Sequence, residues 1–377
     1  MAIHPDALIV GGGVIGLTTA YFLAREGVSV RLLDQAALGS EASWAGAGII
    51  PPGNAEKAAS AFDRLRAVSS SMFPALSADL LDRTGIDNGY RVCGGIEFFD
   101  ETAEDAAALW SREGIEFAAI AQAELGRLEP LLNCRGGSCF VLPGMAQVRN
   151  PWHIRALVAA CRSVGVVFDV GVAVQSFRTD GKRVVSAVAP DGTEFRAGQF
   201  LVANGAWADG LLQTLRVVPG VHPVRGQIVL FRPPRPLVGR IVSVGKCYLV
   251  PRSDGRVLAG ATEEPEAGFE KANTREGVTA LVEFATGLIP ALGHAQVERA
   301  WAGLRPGSPD GLPFLGAVPG FENAYFAGGH FRAGIQLSPA TGIVMADLIA
   351  GRQPSIPIDE FRLDRPPAPP FAAAFRS

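Results

Sequence analysis

A short apolar run at Ala7–Val10 stops at Gly11, Gly12 and Gly13, and the hydrophobic period then changes. Val14, Leu17, Tyr21 and Ala24 recur at helical spacing, Gly27 closes that segment, and Val28–Leu33 is a second apolar run ending on Asp34. The pattern predicts a strand, a glycine turn, a helix and a parallel strand. Farther along, Glu56–Thr84 carries Ala, Leu and Phe on one helical face and Lys57, Arg64 and Arg66 on the other. Gly94–Phe99 reads as a strand, Glu101–Arg112 and His153–Gly165 as helices, and Val166–Val170 as a strand. Val172–Phe177 and Val184–Ala189 form an expected strand pair around Asp180-Gly181. Phe195–Ala203 is an expected buried strand that stops at Asn204-Gly205. Strand alternation returns in Val224–Phe231, Ile241–Val244, Lys246–Pro251 and Arg256–Thr262, with a hairpin turn at Ser253-Asp254-Gly255. Thr274–Leu288 is helical, Ala324–Ala327 is a strand running into Gly328-Gly329, and a helix follows Gly334 as far as Gly351.

Length and charge narrow the class. At 377 residues the chain suits two domains, and no low-complexity linker separates them, so they are expected to interleave. With 48% apolar and 19% charged residues, it reads as a well-packed soluble protein. A net charge of −3 supplies no basic field for nucleic acid. Residues 7–24 are apolar, but Gly11, Gly12, Gly13, Gly16, Thr18 and Thr19 interrupt them and no basic stretch precedes them. Neither a signal peptide nor a membrane span is expected. Cys93, Cys134, Cys139, Cys161 and Cys247 are scattered without a C-x-x-C pair, which points to reduced thiols in a cytoplasm and to no metal site. The proline-rich tail after Asp364 reads as irregular.

The first turn spells G-x-G-x-x-G with Gly11, Gly13 and Gly16. Gly11 makes the tight turn, Gly13 admits a pyrophosphate to the backbone, and Gly16 lets helix and strand pack closely. The helix N-terminus offers N–H groups and a positive dipole end, and Asp34 is placed to accept hydrogen bonds from an adenosine ribose. This stretch leaves NAD and FAD both open; its place near the start of a long chain favours FAD. A run of small residues follows, with Ala42, Ser43, Ala45, Gly46, Ala47 and Gly48, which lets backbone pass tightly against a flat ligand. Ser43 is placed to cap the segment after it. The helix after Gly334 has no acidic residue until Asp347, so its N-terminus favours negative charge on a bound group.

Four stretches together resemble the D-amino-acid oxidase family of flavoproteins, nearest to its glycine-oxidising branch. They are VGGGVIG with Asp34, ASWAGAG at 42–48, CYLVPRSDGRVLAGAT at 247–262, and WAGLRPGSPDG with GGHFRAGIQLSPATG between 301 and 342. The resemblance implies an α/β fold: a Rossmann-type FAD domain interleaved with an α+β substrate domain on an antiparallel or mixed sheet. The implied FAD domain comprises 1–88, 146–214 and 302–365, the substrate domain 89–145 and 215–301, and the tail 366–377. The resemblance places FAD against Gly11, Gly13, Val14, Ile15, Gly16, Asp34, Gln35, Ala42, Ser43, Ala47, Gly48 and Ile49. Val174 reads the adenine through its backbone, and Gly205, His330, Phe331, Arg332, Ala333, Gly334, Ile335 and Gln336 complete the cofactor set. The implied substrate contacts are Tyr248, Arg305 and Arg332.

Those three residues also make chemical sense alone. A substrate carboxylate in a dry pocket calls for a permanent two-pronged cation, which arginine is, and a tyrosine hydroxyl adds a second bond. Taken singly, Arg305 could instead be half of a structural ion pair, and Tyr248 an interface aromatic. Arg332 could act through its backbone carbonyl, by holding the substrate amine. Some relatives attach flavin covalently through a cysteine in the C-terminal third or a histidine near the small-residue run. Here the last cysteine is Cys247 and residues 39–52 lack histidine, so FAD is expected to be non-covalent. Asp34 stands where glutamate is commoner, and with Gln35 it offers no cation to a phosphorylated ribose.

The resemblance implies oxidative deamination of glycine and other small amino acids or amines. Hydride would pass from Cα to flavin N5, the imine would hydrolyse to glyoxylate and ammonia, and dioxygen would be reduced to hydrogen peroxide. His330 is expected to orient the flavin more than to act as base. Supply of the imine for the thiazole of thiamine is a further implication, and a homo-oligomer is compatible with the sequence. Rival readings are a D-amino-acid dehydrogenase that reduces a quinone, a sarcosine-type oxidase of N-methyl amino acids, and a flavin-binding partner without turnover.

Overall fold

The computed structural model describes residues 4–99, 103–133 and 137–366. In chain order, the elements that position the site are β1 (Ala7–Val10), α1 (Val14–Arg25), β2 (Val30–Asp34), α2 (Ala61–Thr84), β3 (Gly95–Phe99) and β4 (Ser138–Leu142). They continue with α3 (Asn150–Ser163), β5 (Val167–Val170), β6 (Gln199–Val202), β7 (His222–Arg232), β8 (Ile241–Val244), β9 (Cys247–Pro251) and β10 (Val257–Gly260). Last come α4 (Arg275–Leu288), β11 (Gln296–Gly307), β12 (Phe314–Ala317), β13 (Ala324–Gly328) and α5 (Gly334–Ile349).

β1 pairs in parallel with β2 on one side and β6 on the other, Ala7 standing opposite both Val30 and Gln199. The six-stranded order is β12-β13-β6-β1-β2-β5, parallel except for β12 at one edge. All four residues of β1 are buried, as a parallel strand covered on both faces requires. Helices α1, α2, α3 and α5 pack on one face around Leu17, Tyr21, Phe73, Leu157 and Leu337. α5 holds Pro339 in its interior, and two hydroxyls repair the ladder there. Ala340 N–H donates to Ser69 Oγ at 3.0 Å, and Ser338 Oγ donates to the Ile335 carbonyl at 2.9 Å.

A second, eight-stranded sheet runs β11-β7-β10-β9-β8-β3-β4 and ends on the short strand Ala118–Ala119. Its pairs are antiparallel except β8 with β3, so the sheet is mixed. Among the described residues, no helix is long and apolar enough to cross a membrane. Among the described residues no disulfide joins Cys93, Cys139, Cys161 or Cys247. Cys134 and the tail beyond residue 366 lie outside the described residues.

Several boundaries differ from the pattern. α2 begins at Ala61, where Ser60 Oγ accepts the Asp63 N–H at 3.0 Å and fixes the start. Arg66 on α2 is not solvated: its guanidinium is buried 3.0 Å from Glu113 Oε2 and 3.3 Å from Asp63 Oδ1. The expected strand Val172–Phe177 starts only at Ser176, leaving 172–175 extended but unpaired in a ladder. The run Phe195–Ala203 is split at Gly198, where the backbone turns against Asp6; a Cβ there would lie 2.9 Å from the Asp6 carbonyl oxygen. Glu194–Arg196 instead joins Ser176–Asp180 and Arg183–Val188 in a small antiparallel sheet. β11 crosses the expected domain boundary at 302 unbroken, paired with β7 from Gln296↔Arg232 to Gly307↔His222. Residues 302–307 therefore belong to the second sheet, because a strand cannot leave its ladder midway without losing its hydrogen bonds.

Asn323 ties the small sheet to the large parallel one. Its amide donates to the carbonyls of Val184 and Gly198, each at 2.9 Å, and its Oδ1 accepts the Val184 N–H at 2.9 Å. Asn323→Ala leaves buried backbone groups unpaired and is expected to lower unfolding free energy by about 3 kcal/mol. Chemical denaturation checks this; an unchanged midpoint would show that water replaces the amide.

Candidate active site

The turn between β1 and α1 is shaped by close backbone contacts. Gly11 has φ +112°, and a Cβ there would lie 2.4 Å from the Ala203 carbonyl oxygen. A Cβ on Gly16 would come within 2.0 Å of the Gly11 carbonyl oxygen, so α1 rests directly on the turn that precedes it. Gly13 faces Ser43, whose Oγ would be 3.3 Å from an added Cβ. Ser43 Oγ accepts the Val14 N–H at 2.9 Å, so this serine caps α1 across the cleft and not the segment that follows it. Asp34 Oδ2 accepts the Gly12 N–H at 2.6 Å and Oδ1 the Ala36 N–H at 2.7 Å. Burial pushes the Asp34 carboxyl above its usual range; the N–H groups of Ala36 and Gly12 oppose this, and Glu41 adds to it.

One continuous cavity of about 380 Å³ joins this turn to the second sheet. Its wall includes Gly11, Gly13, Val14, Ile15, Asp34, Gln35, Ala42, Ser43, Ala47, Gly48, Ile49, Val174 and Gly205. It also includes Tyr248, Arg305, His330, Phe331, Arg332, Gly334 and Ile335. Three expected cofactor residues do not line it. Gly16 is closed off by its contact with Gly11, and Ala333 closes a turn by donating its N–H to the His330 carbonyl at 3.0 Å. Gln336 points away from the cavity, donating to Ser70 Oγ at 2.9 Å and to the Pro51 carbonyl at 3.4 Å.

On the second sheet, Tyr248 comes from β9 and Arg305 from β11. The Arg305 guanidinium donates to the Thr262 carbonyl at 3.0 Å, and no carboxylate pairs with it among the described residues. Burial pushes it below the ordinary arginine value, with the Tyr248 hydroxyl opposing and the Arg332 guanidinium adding to the shift. Arg332 is differently placed. Its Nη1 lies 3.2 Å from Glu263 Oε2, its Nη2 donates to the Lys246 carbonyl at 2.8 Å, and Lys246 Nζ lies 2.6 Å from Glu263. Arg332 thus shares the Glu263 carboxylate with Lys246, while Arg305 has no ion-pair partner among the described residues. His330 is buried, with Nε2 3.1 Å from Thr341 Oγ1, and burial holds its imidazole down to about 3, neutral at pH 7.

Four supporting residues escaped the sequence reading. Arg252 is buried and donates to Gln147 Oε1 at 2.9 Å, to the Val148 carbonyl at 3.1 Å and to the Ala47 carbonyl at 2.7 Å. Burial lowers it to about 10. Trp301 Nε1 donates to the Ala45 carbonyl at 2.9 Å, and Asn150 Nδ2 to the Ser43 carbonyl at 2.8 Å. Glu263 holds Arg332. Only Arg252 and Trp301 lay inside quoted motifs; the other two carry no local signal.

The wall fits an extended dinucleotide. Two helices longer than one turn, α1 and α5, bring their N-terminal residues to the cavity, and neither has an acid in its first turn. Asn204, also on the wall, has a buried Oδ1 with no partner among the described residues, an acceptor left for a ligand hydroxyl. A parallel sheet with a glycine turn, opening onto a mixed sheet with a half-buried arginine, defines a dinucleotide-dependent oxidoreductase. The chain belongs to the FAD dependent oxidoreductase family, whose model it matches over residues 6–348. It is 36% identical over 351 residues to glycine oxidase of Pseudomonas aeruginosa, covering 93% of this chain and 96% of that one. The crystal structure of glycine oxidase from Geobacillus kaustophilus superposes with a TM-score of 0.91 at 33% identity, covering 97% of this chain and 100% of that one. The bifunctional protein ThiO/ThiG of Trichormus variabilis is 32% identical, over 96% of this chain but 55% of its own length.

Two outcomes test the cofactor end. Asp34→Ala is expected to weaken FAD retention roughly tenfold or more, since a charge-assisted hydrogen bond contributes about 1.5–3 kcal/mol; equilibrium binding of FAD to the stripped protein measures it. Among the described residues no cysteine lines the cavity, and the one histidine there, His330, is engaged with Thr341. Acid precipitation should therefore leave the yellow colour in the supernatant, and colour in the pellet would refute non-covalent binding.

Proposed function

We propose that this chain oxidises glycine and similar small amino acids or amines, gripping the substrate carboxylate between Arg305 and Tyr248. The observation that carries this reading is the half-buried Arg305 guanidinium, which faces the cavity and has no carboxylate in ion-pair contact among the described residues. A cation drawn partly out of water without a counter-charge is costly, and a substrate anion removes that cost. Relatives of nearly equal length are named glycine oxidases, which supports glycine as substrate. FAD, when bound, supplies the acceptor for the two electrons of the substrate Cα–H bond and returns them to dioxygen as hydrogen peroxide.

The residues position the substrate. Arg305 and Tyr248 sit on neighbouring parts of one sheet, which holds the carboxylate more rigidly than loops would. A glycine bound as the free amine loses hydride from Cα to become the iminium, which gives up an N–H proton to water as the imine or is hydrolysed directly, in either case yielding glyoxylate and ammonia. His330 is too weak a base to take a proton at neutral pH, so its role is packing beside the cofactor. Arg332, held by Glu263, is left to act through its backbone. The N-terminus of α5 favours negative charge on the cofactor after it has accepted electrons.

We assign the cofactor to the parallel sheet and its helices, and the substrate to the mixed sheet. Cysteines without a disulfide among the described residues agree with a reducing cytoplasm. The likeness to part of a ThiO/ThiG protein supports a place beside thiazole synthesis for thiamine.

Arg305→Ala should lower kcat/KM on glycine by two to three orders of magnitude or more, from a loss of about 3–5 kcal/mol. FAD content should change little, and Arg305→Lys should restore only part, because a point charge lacks the two-pronged fork. Kinetics on glycine and on a carboxylate-free amine, followed as peroxide formed, provide the check. Equal losses on both would overturn the carboxylate role, and flavin reduction without peroxide would point to another electron acceptor.

A further inference from the structure

Arg305 lies over a patch of sheet with glycine at facing positions. On β7 and β11 the register sets Val224 opposite Arg305 and Gly226 opposite Gly303. With the two-residue period of a strand, all four share one face. The Arg305 side chain leans along this face until its guanidinium covers Gly226. A Cβ at position 226 would stand 2.2 Å from Nη1, 2.3 Å from Nη2 and 2.4 Å from Cζ. The opposing Gly303 admits another element, since a Cβ there would stand 2.5 Å from the Ala45 Cβ. Tyr248 repeats the arrangement one strand away: a Cβ on Gly260 would lie 2.7–2.9 Å from its ring and hydroxyl.

Gly226 is not among the glycines with positive φ, so its backbone imposes no need for glycine. The nearest obstacle to a side chain there is the guanidinium. We propose that Gly226 is a specificity-determining position: its bare backbone is the seat that holds the Arg305 fork at the depth where a substrate carboxylate can meet it. The inference rests on the carboxylate role proposed for Arg305. Gly226 acts through Arg305 and is a positioning residue. The three atoms nearest a methyl group at 226 all belong to the movable tip of a long side chain, so the fold should survive while the fork is lifted into the space for the carboxylate.

The test uses the FAD-loaded enzyme as G226A, R305K and the double variant, measuring glycine KM and kcat, inhibition by acetate, FAD content and thermal midpoint. G226A is expected to raise glycine KM and the acetate inhibition constant about tenfold or more, with a much smaller change in kcat. FAD content and thermal midpoint should stay near those of the parent. R305K should weaken acetate too, and the double variant should be no worse than R305K within about twofold, because the lysine has no fork to lift. If R305K weakens acetate and G226A does not, the inference falls while the carboxylate role stands. If R305K leaves acetate inhibition unchanged, the carboxylate role falls and takes the inference with it. Loss of FAD or of thermal stability in G226A would assign the glycine to cofactor packing and overturn the proposal, as would multiplicative effects in the double variant.

Discussion

Helix α1 touches β1 through the turn between them with nothing interposed, Gly16 against the Gly11 carbonyl, and the rest of the site is hung from that contact. It sets the height at which the N-terminus of α1 meets the cavity. Ser43, from a different segment, then reaches across to cap that helix. This capping bond draws the small-residue run 42–49 over the cleft, where three residues from elsewhere hold it. Asn150 takes the Ser43 carbonyl, Trp301 the Ala45 carbonyl and Arg252 the Ala47 carbonyl. Two of the three come from the mixed sheet, so the same loop that walls the cofactor also joins the two sheets. A side chain on Gly16 would push the helix away and disturb each later contact in turn.

The charges in the cavity follow one logic. Helix termini without acids and a cation without a carboxylate leave the site short of negative charge, which a dinucleotide and a carboxylate substrate supply. Elsewhere positive charge is tempered: Arg332 and Lys246 share Glu263, and His330 is held neutral by burial. Arg252 is the exception, buried among carbonyl and amide oxygens with no carboxylate among the described residues. Its three hydrogen bonds are all to neutral acceptors, which suits a strut that fixes backbone and does not compete with Arg305 for the substrate anion.

Much of the parallel half was legible in the chain, because its signals are local. The change of hydrophobic period at Gly13, the three glycines and Asp34 at the end of β2 each concern neighbours in sequence, and the structure places all of them as expected. Boundaries were lost where a distant residue intervened. Gly198 turns the chain because Asp6 packs against it, and β11 runs through residue 302 because β7 continues beside it. Arg66 looked solvated by its helical phase, yet Glu113 and Asp63 draw it inward.

The same division runs through the site. Residue type and spacing alone determined the glycine turn between a strand and a helix and the acid that ends the next strand, and the family resemblance singled out Arg305 and Tyr248. Only the tertiary structure decided which arginine has a carboxylate in direct contact. Both positions hold the same residue type, but Glu263 forms an ion pair with Arg332 and acts on Arg305 only from a greater distance. The bare strand at Gly226 likewise means nothing until β11 lies beside it. Charge balance and close approach depend on distances between segments far apart in the chain, and those distances exist only once the sheets have formed.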